Sequence, residues 1–303
     1  MATVVIDTDP GTDDAIALIM ALNSPELEIK GLTTVGGNAR LTHTTANALR
    51  LLDRLGHPEI PVAAGASRPL RGAYEYGYGF HGSGGLTIAL RPVDSGPHPL
   101  RAAEFIIDAG STYGPDLTLI ALGPLTNVAH ALQRQPVLAS QLHKIIVMGG
   151  ALEGGNVTPY AEFNIYNDPT AANVVFSSGV PTTMIGLDVC RQVAFDRNKT
   201  DWSDGETVGE ELAAEIVSAW FEFQPDQPIY DLCDPLAMAA VVEPGILTYT
   251  QAEVVVATSG PRSGETRATT GARSVKVATG VDVNRAHATV LARLKTPEAS
   301  FTI

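Results

Sequence analysis

The chain has 303 residues, 45% of them hydrophobic, and a formal net charge of −13. That composition excludes a disordered chain and allows a sizeable core. The acidic excess, with no basic run to offset it, excludes nucleic acid and anionic membrane as partners. No apolar stretch approaches the roughly 20 residues of a membrane span, and a strand beginning near residue 3 leaves no room for a signal peptide. Two cysteines, Cys190 and Cys233, make no disulfide framework, so the cytoplasm is the expected compartment.

In chain order, residues 3–8 read as a short buried strand and 13–22 as an amphipathic helix with Asp at its start. Pro10-Gly11 is the turn between them. A strand at 27–35, a helix at 42–55 and a short strand at 60–64 follow. Next come a helix at 100–109, a strand at 117–122, a helix at 125–134, a strand at 144–148, a helix at 169–177 and a strand at 182–186. This alternation predicts an α/β fold with a mostly parallel central sheet flanked by helices. Beyond 186 the pattern loosens. Helices are expected at 206–223 and 234–242, antiparallel strands at 252–258 and 274–279 around a Gly-rich turn, and a closing helix at 282–294. Two stretches, 66–99 and 149–168, are too long and Gly-rich to be simple connectors; both follow strands, which makes them candidates to line a site.

Four aspartates, Asp7, Asp9, Asp13 and Asp14, crowd the junction of the first strand and helix. In parallel α/β sheets ligands bind where strands end and helices begin. So many carboxylates repel one another unless a cation or substrate hydroxyls take up the charge, and hard oxygen ligands suit Ca²⁺ or Mg²⁺ better than zinc. A purely structural reading makes Asp13 and Asp14 partners of the helix dipole and Asp9 a cap. It leaves charge at the exit of an apolar strand unexplained.

The run Asp7-Thr8-Asp9-Pro10-Gly11-Thr12-Asp13-Asp14 matches the D-x-D-P-G-x-D-D signature of the nucleoside hydrolases, the inosine/uridine-preferring nucleoside N-ribohydrolases, and the chain resembles that family. Thr34-Val35-Gly36-Gly37-Asn38, His81-Gly82, Gly123-Pro124-Leu125-Thr126-Asn127, Met148-Gly149-Gly150, Asn156, Ala161-Glu162-Phe163-Asn164 and Asp234-Pro235 match in order. The resemblance implies one nucleoside hydrolase domain over residues 1–303 with a Rossmann-like core. It implies calcium-dependent hydrolysis of the N-glycosidic bond of ribonucleosides, with uridine and inosine the first candidates, a task in nucleoside salvage, and assembly as a homotetramer or homodimer.

Carried over residue by residue, Ca²⁺ would be held by Asp9, Asp14, Asp234 and the backbone carbonyl of Leu122, with Asp7 behind them. Ribose would be held by Asp13, Asn38, Asn156, Glu162 and Asn164, with Met148 nearby, and Asp9 would be the general base. His81 would lie beside the nucleobase. One branch of the family carries a histidine before the Asp-Pro, thought to protonate the leaving base; here Cys233 stands there, as in another branch. A thiol of pKa about 8.5 is a weak donor, so help is sought from Cys233 itself, His81 or Tyr230. Read singly, Asn38 is a turn residue, Met148 core, and Asp168 and Asp234, each before proline, helix caps.

Two other functions compete. A haloacid-dehalogenase-like phosphatase also places Asp-x-Asp after its first strand, but it needs a later paired-acid motif that is absent here. A non-catalytic calcium-dependent nucleoside- or ribose-binding protein would use the same scaffold without the chemistry. An EF-hand is excluded by Pro10 and by the missing glycine and glutamate spacing.

Overall fold

The apolar runs read as strands are buried on both faces, as strands of a parallel sheet must be. The computed structural model describes residues 1–198, 205–271 and 275–295. Its strands are β1 (Ala2–Thr8), β2 (Leu27–Thr34), β3 (Val62–Ala64), β4 (Leu117–Ala121), β5 (Lys144–Met148), β6 (Thr182–Ile185), β7 (Ala194–Asp196), β8 (Ile229–Asp231), β9 (Leu247–Val256), β10 (Thr266–Thr269) and β11 (Val275–Val281). The main sheet runs in the order β10-β9-β11-β6-β5-β4-β1-β2-β3. From β3 to β11 all neighbours are parallel, and β9 runs antiparallel to both β11 and β10.

Alternation along β1 explains the two layers. Val4 and Ile6 point to a core shared with helices Thr12–Leu22, Val208–Phe223, Cys233–Val242 and Val283–Leu294. Val5 points to the opposite core, under helices Ala102–Tyr113, Thr126–Arg134 and Pro169–Phe176. Each such side chain, fully buried, contributes about 1.5–3 kcal/mol. The chain leaves β1 outward through β2 and β3, then returns to the other side of β1 with β4. The carboxyl ends of β1 and β4 therefore open the crevice where the strand order reverses. Among the described residues no helix is long and apolar enough to cross a membrane.

The first 186 residues follow the predicted alternation, with ends shifted by a residue or two except at helix Ala102–Tyr113, which runs four residues further. The later part differs more. The runs at 252–258 and 274–279 do pair antiparallel, although residue 274 lies outside the described residues. Strand β9 begins earlier, at Leu247, and the Gly-rich turn leads instead to β10 on its far side. Strands β7 and β8, three residues each, form a separate antiparallel ribbon that no periodicity could reveal. Both long loops contain a short helix, Tyr78–His81 and Phe163–Asn167.

Candidate active site

The signature aspartates converge at the end of β1, each held differently. Asp14 is the most fully bonded: Oδ1 accepts from Thr8 Oγ1 (2.5 Å) and the Asp9 amide (3.2 Å), Oδ2 from the Gly11 amide (3.0 Å) and Asn38 Nδ2 (2.8 Å). Asp9 Oδ2 accepts from the Asn38 amide at 2.6 Å. Asp7 Oδ1 accepts from Thr33 Oγ1 (2.5 Å) and Asn127 Nδ2 (2.7 Å). Among the described residues Asp7 Oδ2, Asp9 Oδ1 and Asp13 Oδ1 are buried with no hydrogen-bond partner. One carboxylate oxygen each of Asp13, Asp14 and Asp234 lies within 4.8 Å of the others.

Burial pushes Asp7 up to about 7. Burial, with the neighbouring Asp14 charge, pushes Asp13 up to about 8. The same two causes raise Asp9, and burial with Asp13 and Asp14 raises Asp234, both far above the usual carboxylate range. Acids forced together in this way, with orphaned oxygens, form a cradle that favours a hard cation. The residues fit Ca²⁺ on these grounds: carboxylate donors, buried, uncompensated and mutually repelling.

Above the cluster lies a cavity of about 460 Å³. Of the residues singled out in the sequence, Asp13, Asn38, His81, Leu122, Met148, Asn156, Glu162, Asn164, Cys233 and Asp234 line it. Asp7, Asp9 and Asp14 are buried and do not themselves line it. The carbonyl of Leu122 accepts from Asn164 Nδ2 at 2.7 Å. Glu162 both caps helix Phe163–Asn167 and faces the cavity: its carboxylate accepts from the amides of Gly150, Asn164 and Ile165. His81 Nδ1 accepts from the Thr12 amide at 3.1 Å, leaving the ring as the Nε2–H tautomer, and burial pulls its pKa down to about 3. It is a neutral donor, not an imidazolium acid.

Two expectations for the leaving-group side change. Tyr230 does not line the cavity; it is fully buried, 4.7 Å (ring centroids) from Trp220, because it occupies the inward position of β8. Cys233 does line it, but its thiol is engaged by Cys190, which with burial holds it protonated. The wall here consists instead of Phe80, Trp220, Gln227, Ile229, Asp231 and Arg191. None stands in a sequence motif; the aromatic-rich run from Trp220 was the one available signal. Asn127 and Thr33, which orient Asp7, were also missed as functional, although Asn127 ends a quoted motif.

Comparison with known proteins fits this geometry. The family model "Inosine-uridine preferring nucleoside hydrolase" matches residues 4–288. Uridine nucleosidase 1 of Arabidopsis thaliana is 40% identical over 269 residues, covering 86% of this chain and 80% of that protein. A solved plant nucleoside hydrolase, the PpNRh1 enzyme, superposes with a TM-score of 0.93 at 34% identity, over 98% of this chain and 99% of its own. A purine-preferring ribonucleoside hydrolase from Gardnerella vaginalis gives 0.91 at 34%, over 96% and 98%.

Proposed function

Given that the chain belongs to the inosine-uridine preferring nucleoside hydrolase family and is a ribonucleoside hydrolase, we propose that it is a calcium-dependent enzyme acting on uridine and inosine. The observation that carries this reading is the group of orphaned carboxylates at the floor of a nucleoside-sized cavity. Membership of the family leaves no place for the phosphatase, and the presence of the candidate base, metal ligands and ribose contacts together speaks against a scaffold without chemistry. A single domain over 1–303, a cytoplasmic role in nucleoside salvage and a homotetramer or homodimer complete the proposal.

Asp9, Asp14, Asp234 and the Leu122 carbonyl would hold the ion, with Asp13 close enough to Asp14 and Asp234 to share its charge. When bound, Ca²⁺ supplies positive charge that favours the ribose diol and acidifies water. The protein's own groups do the rest. Asp9, with one oxygen free, takes the proton of the attacking water. Asp13, Asn38 and Asn164 grip the ribose hydroxyls, while Glu162 and Asn156 close the far side. As the bond from the anomeric carbon to the base nitrogen breaks, its electrons leave with the base. The carboxylates stabilise the positive charge that develops on the sugar. Removing a hydroxyl leaves buried polar groups unpaired, so 2′-deoxyuridine is expected to react at least ~100-fold more slowly than uridine; equal kcat/KM would overturn the ribose assignment.

The test is ribose release from uridine, inosine, cytidine and adenosine after stripping metal and restoring Ca²⁺. Calcium-dependent release, fastest with uridine or inosine, is expected; release that is indifferent to metal would defeat the calcium assignment.

A further inference from the structure

The cavity is lined by a polar group that the chemistry above does not use. Strand β8 alternates as a strand must: Ile229 and Asp231 face the cavity while Tyr230 points into the core. Asp231 Oδ1 is buried, and among the described residues it has no hydrogen-bond partner. Arg191 is the positive charge near it, and Asp13 of the carboxylate floor is within reach of its negative charge. Both terminal nitrogens of that guanidinium are already engaged, Nη1 with the carbonyls of Glu153 (3.4 Å) and Gly154 (3.0 Å), Nη2 with that of Gly155 (2.8 Å). Arg191 thus supplies field to Asp231 and no hydrogen bond. A carboxylate oxygen left this way costs free energy until a ligand donates to it.

Position identifies that ligand group. The candidate ribose contacts come from the ends of β1, β2 and β5 and from the loop after β5. Phe80, Trp220 and Ile229 give the cavity apolar surface suited to a base, and among the described residues that line it beside them are the polar side chains of His81, a donor, and of Gln227 and Asp231.

We propose that Asp231 is a specificity-determining residue whose free carboxylate oxygen accepts a hydrogen bond from a ring N–H of the nucleobase. The proposal rests on the nucleoside reading above. Uracil offers N3–H and hypoxanthine N1–H; methylation at either nitrogen removes the donor. The discrimination is between bases that satisfy the buried acceptor and bases that leave it empty.

The experiment measures kcat/KM of the calcium-loaded full chain for uridine against 3-methyluridine and inosine against 1-methylinosine, in wild type, Asp231→Ala and Asp231→Leu. The wild type is expected to prefer the unmethylated member by about 30-fold or more, and Asp231→Ala to narrow that preference at least tenfold. Asp231→Leu, of similar size and with no acceptor, serves if the alanine variant does not fold. A wild type that turns over both members equally overturns the proposal, as does a preference narrowed less than tenfold in the variant. Absence of ribose release from uridine and inosine alike would overturn the nucleoside reading together with it; release with an unaltered preference overturns Asp231 alone.

Discussion

Asp9 occupies a slot made by two glycines. A Cβ on Gly37 would stand 2.2 Å from Asp9 Oδ2, and one on Gly123 2.3 Å from Oδ1, so neither position admits a side chain without moving the carboxylate. Gly123→Ala is therefore expected to lower kcat/KM at least tenfold and to raise the Ca²⁺ concentration needed for activity, because the group displaced is proposed both to activate water and to hold the ion. A matching fall in thermal stability that accounts for the lost activity would sink this reading. Cys233 leads to the opposite expectation. Its proton is committed to Cys190 and it stays a thiol, so Cys233→Ala should leave kcat within about twofold on every substrate, under ~0.5 kcal/mol of barrier. A drop of tenfold or more would restore it as the leaving-group acid. The sequence singles out Asp7 and Asp9, since charge at the exit of an apolar strand demands a partner. It could not show what holds them, because the glycine contacts and the Thr33 and Asn127 bonds join positions up to 120 residues apart.

At the level of elements, the two Gly-rich loops are pinned more than their composition suggests. Asp168 caps helix Pro169–Phe176 through the Ala171 amide, as the Asp-Pro pair implies, and its second oxygen accepts from the Leu70 amide and Thr126 Oγ1. One carboxylate thereby ties the first loop to the core. The second loop is held by the short helix Leu187–Cys190 and its end: Asp188 accepts from the amides of Leu152 and Glu153, and Arg191 binds the next carbonyls. Arg191→Gln should free this segment, which carries Asn156 into the cavity, and raise KM for nucleosides about three- to tenfold with kcat within threefold. Steady-state kinetics showing the loss in kcat alone would contradict it. Elements were legible where burial on both faces wrote an apolar run, as in β1, β4 and β5. They were illegible in the short strands β7, β8 and β10, which lie outside the β-α-β alternation, and where, as along the first half of β9, exposure breaks the run.

For the whole molecule, the crowded acids link metal, protons and stability. Asp7 at about 7 and Asp13 at about 8 hold protons in the folded chain that the unfolded chain, near 3.8, has released. Such groups contribute stability fully below about 3.8, and that contribution is lost as pH rises through 7 and 8. A cation that replaces those protons offsets the loss. The gain in Tm from Ca²⁺ over chelator should therefore be larger at pH 8 than at pH 6, and melting curves with equal gains would refute the linkage. The fold as a whole was readable because β-α-β order constrains topology so strongly. The distribution of its parts has an evolutionary consequence. The candidate ribose residues stand at the ends of the central strands and in the loop after β5, whereas β7 and β8 form a ribbon outside the main sheet. Substitutions on the ribbon's cavity face, at Ile229 and Asp231, can accumulate without altering the hydrogen-bond ladder of the main sheet. On the proposed assignment, such an arrangement would let a lineage change the base it accepts in few mutational steps while the ribose chemistry is inherited intact.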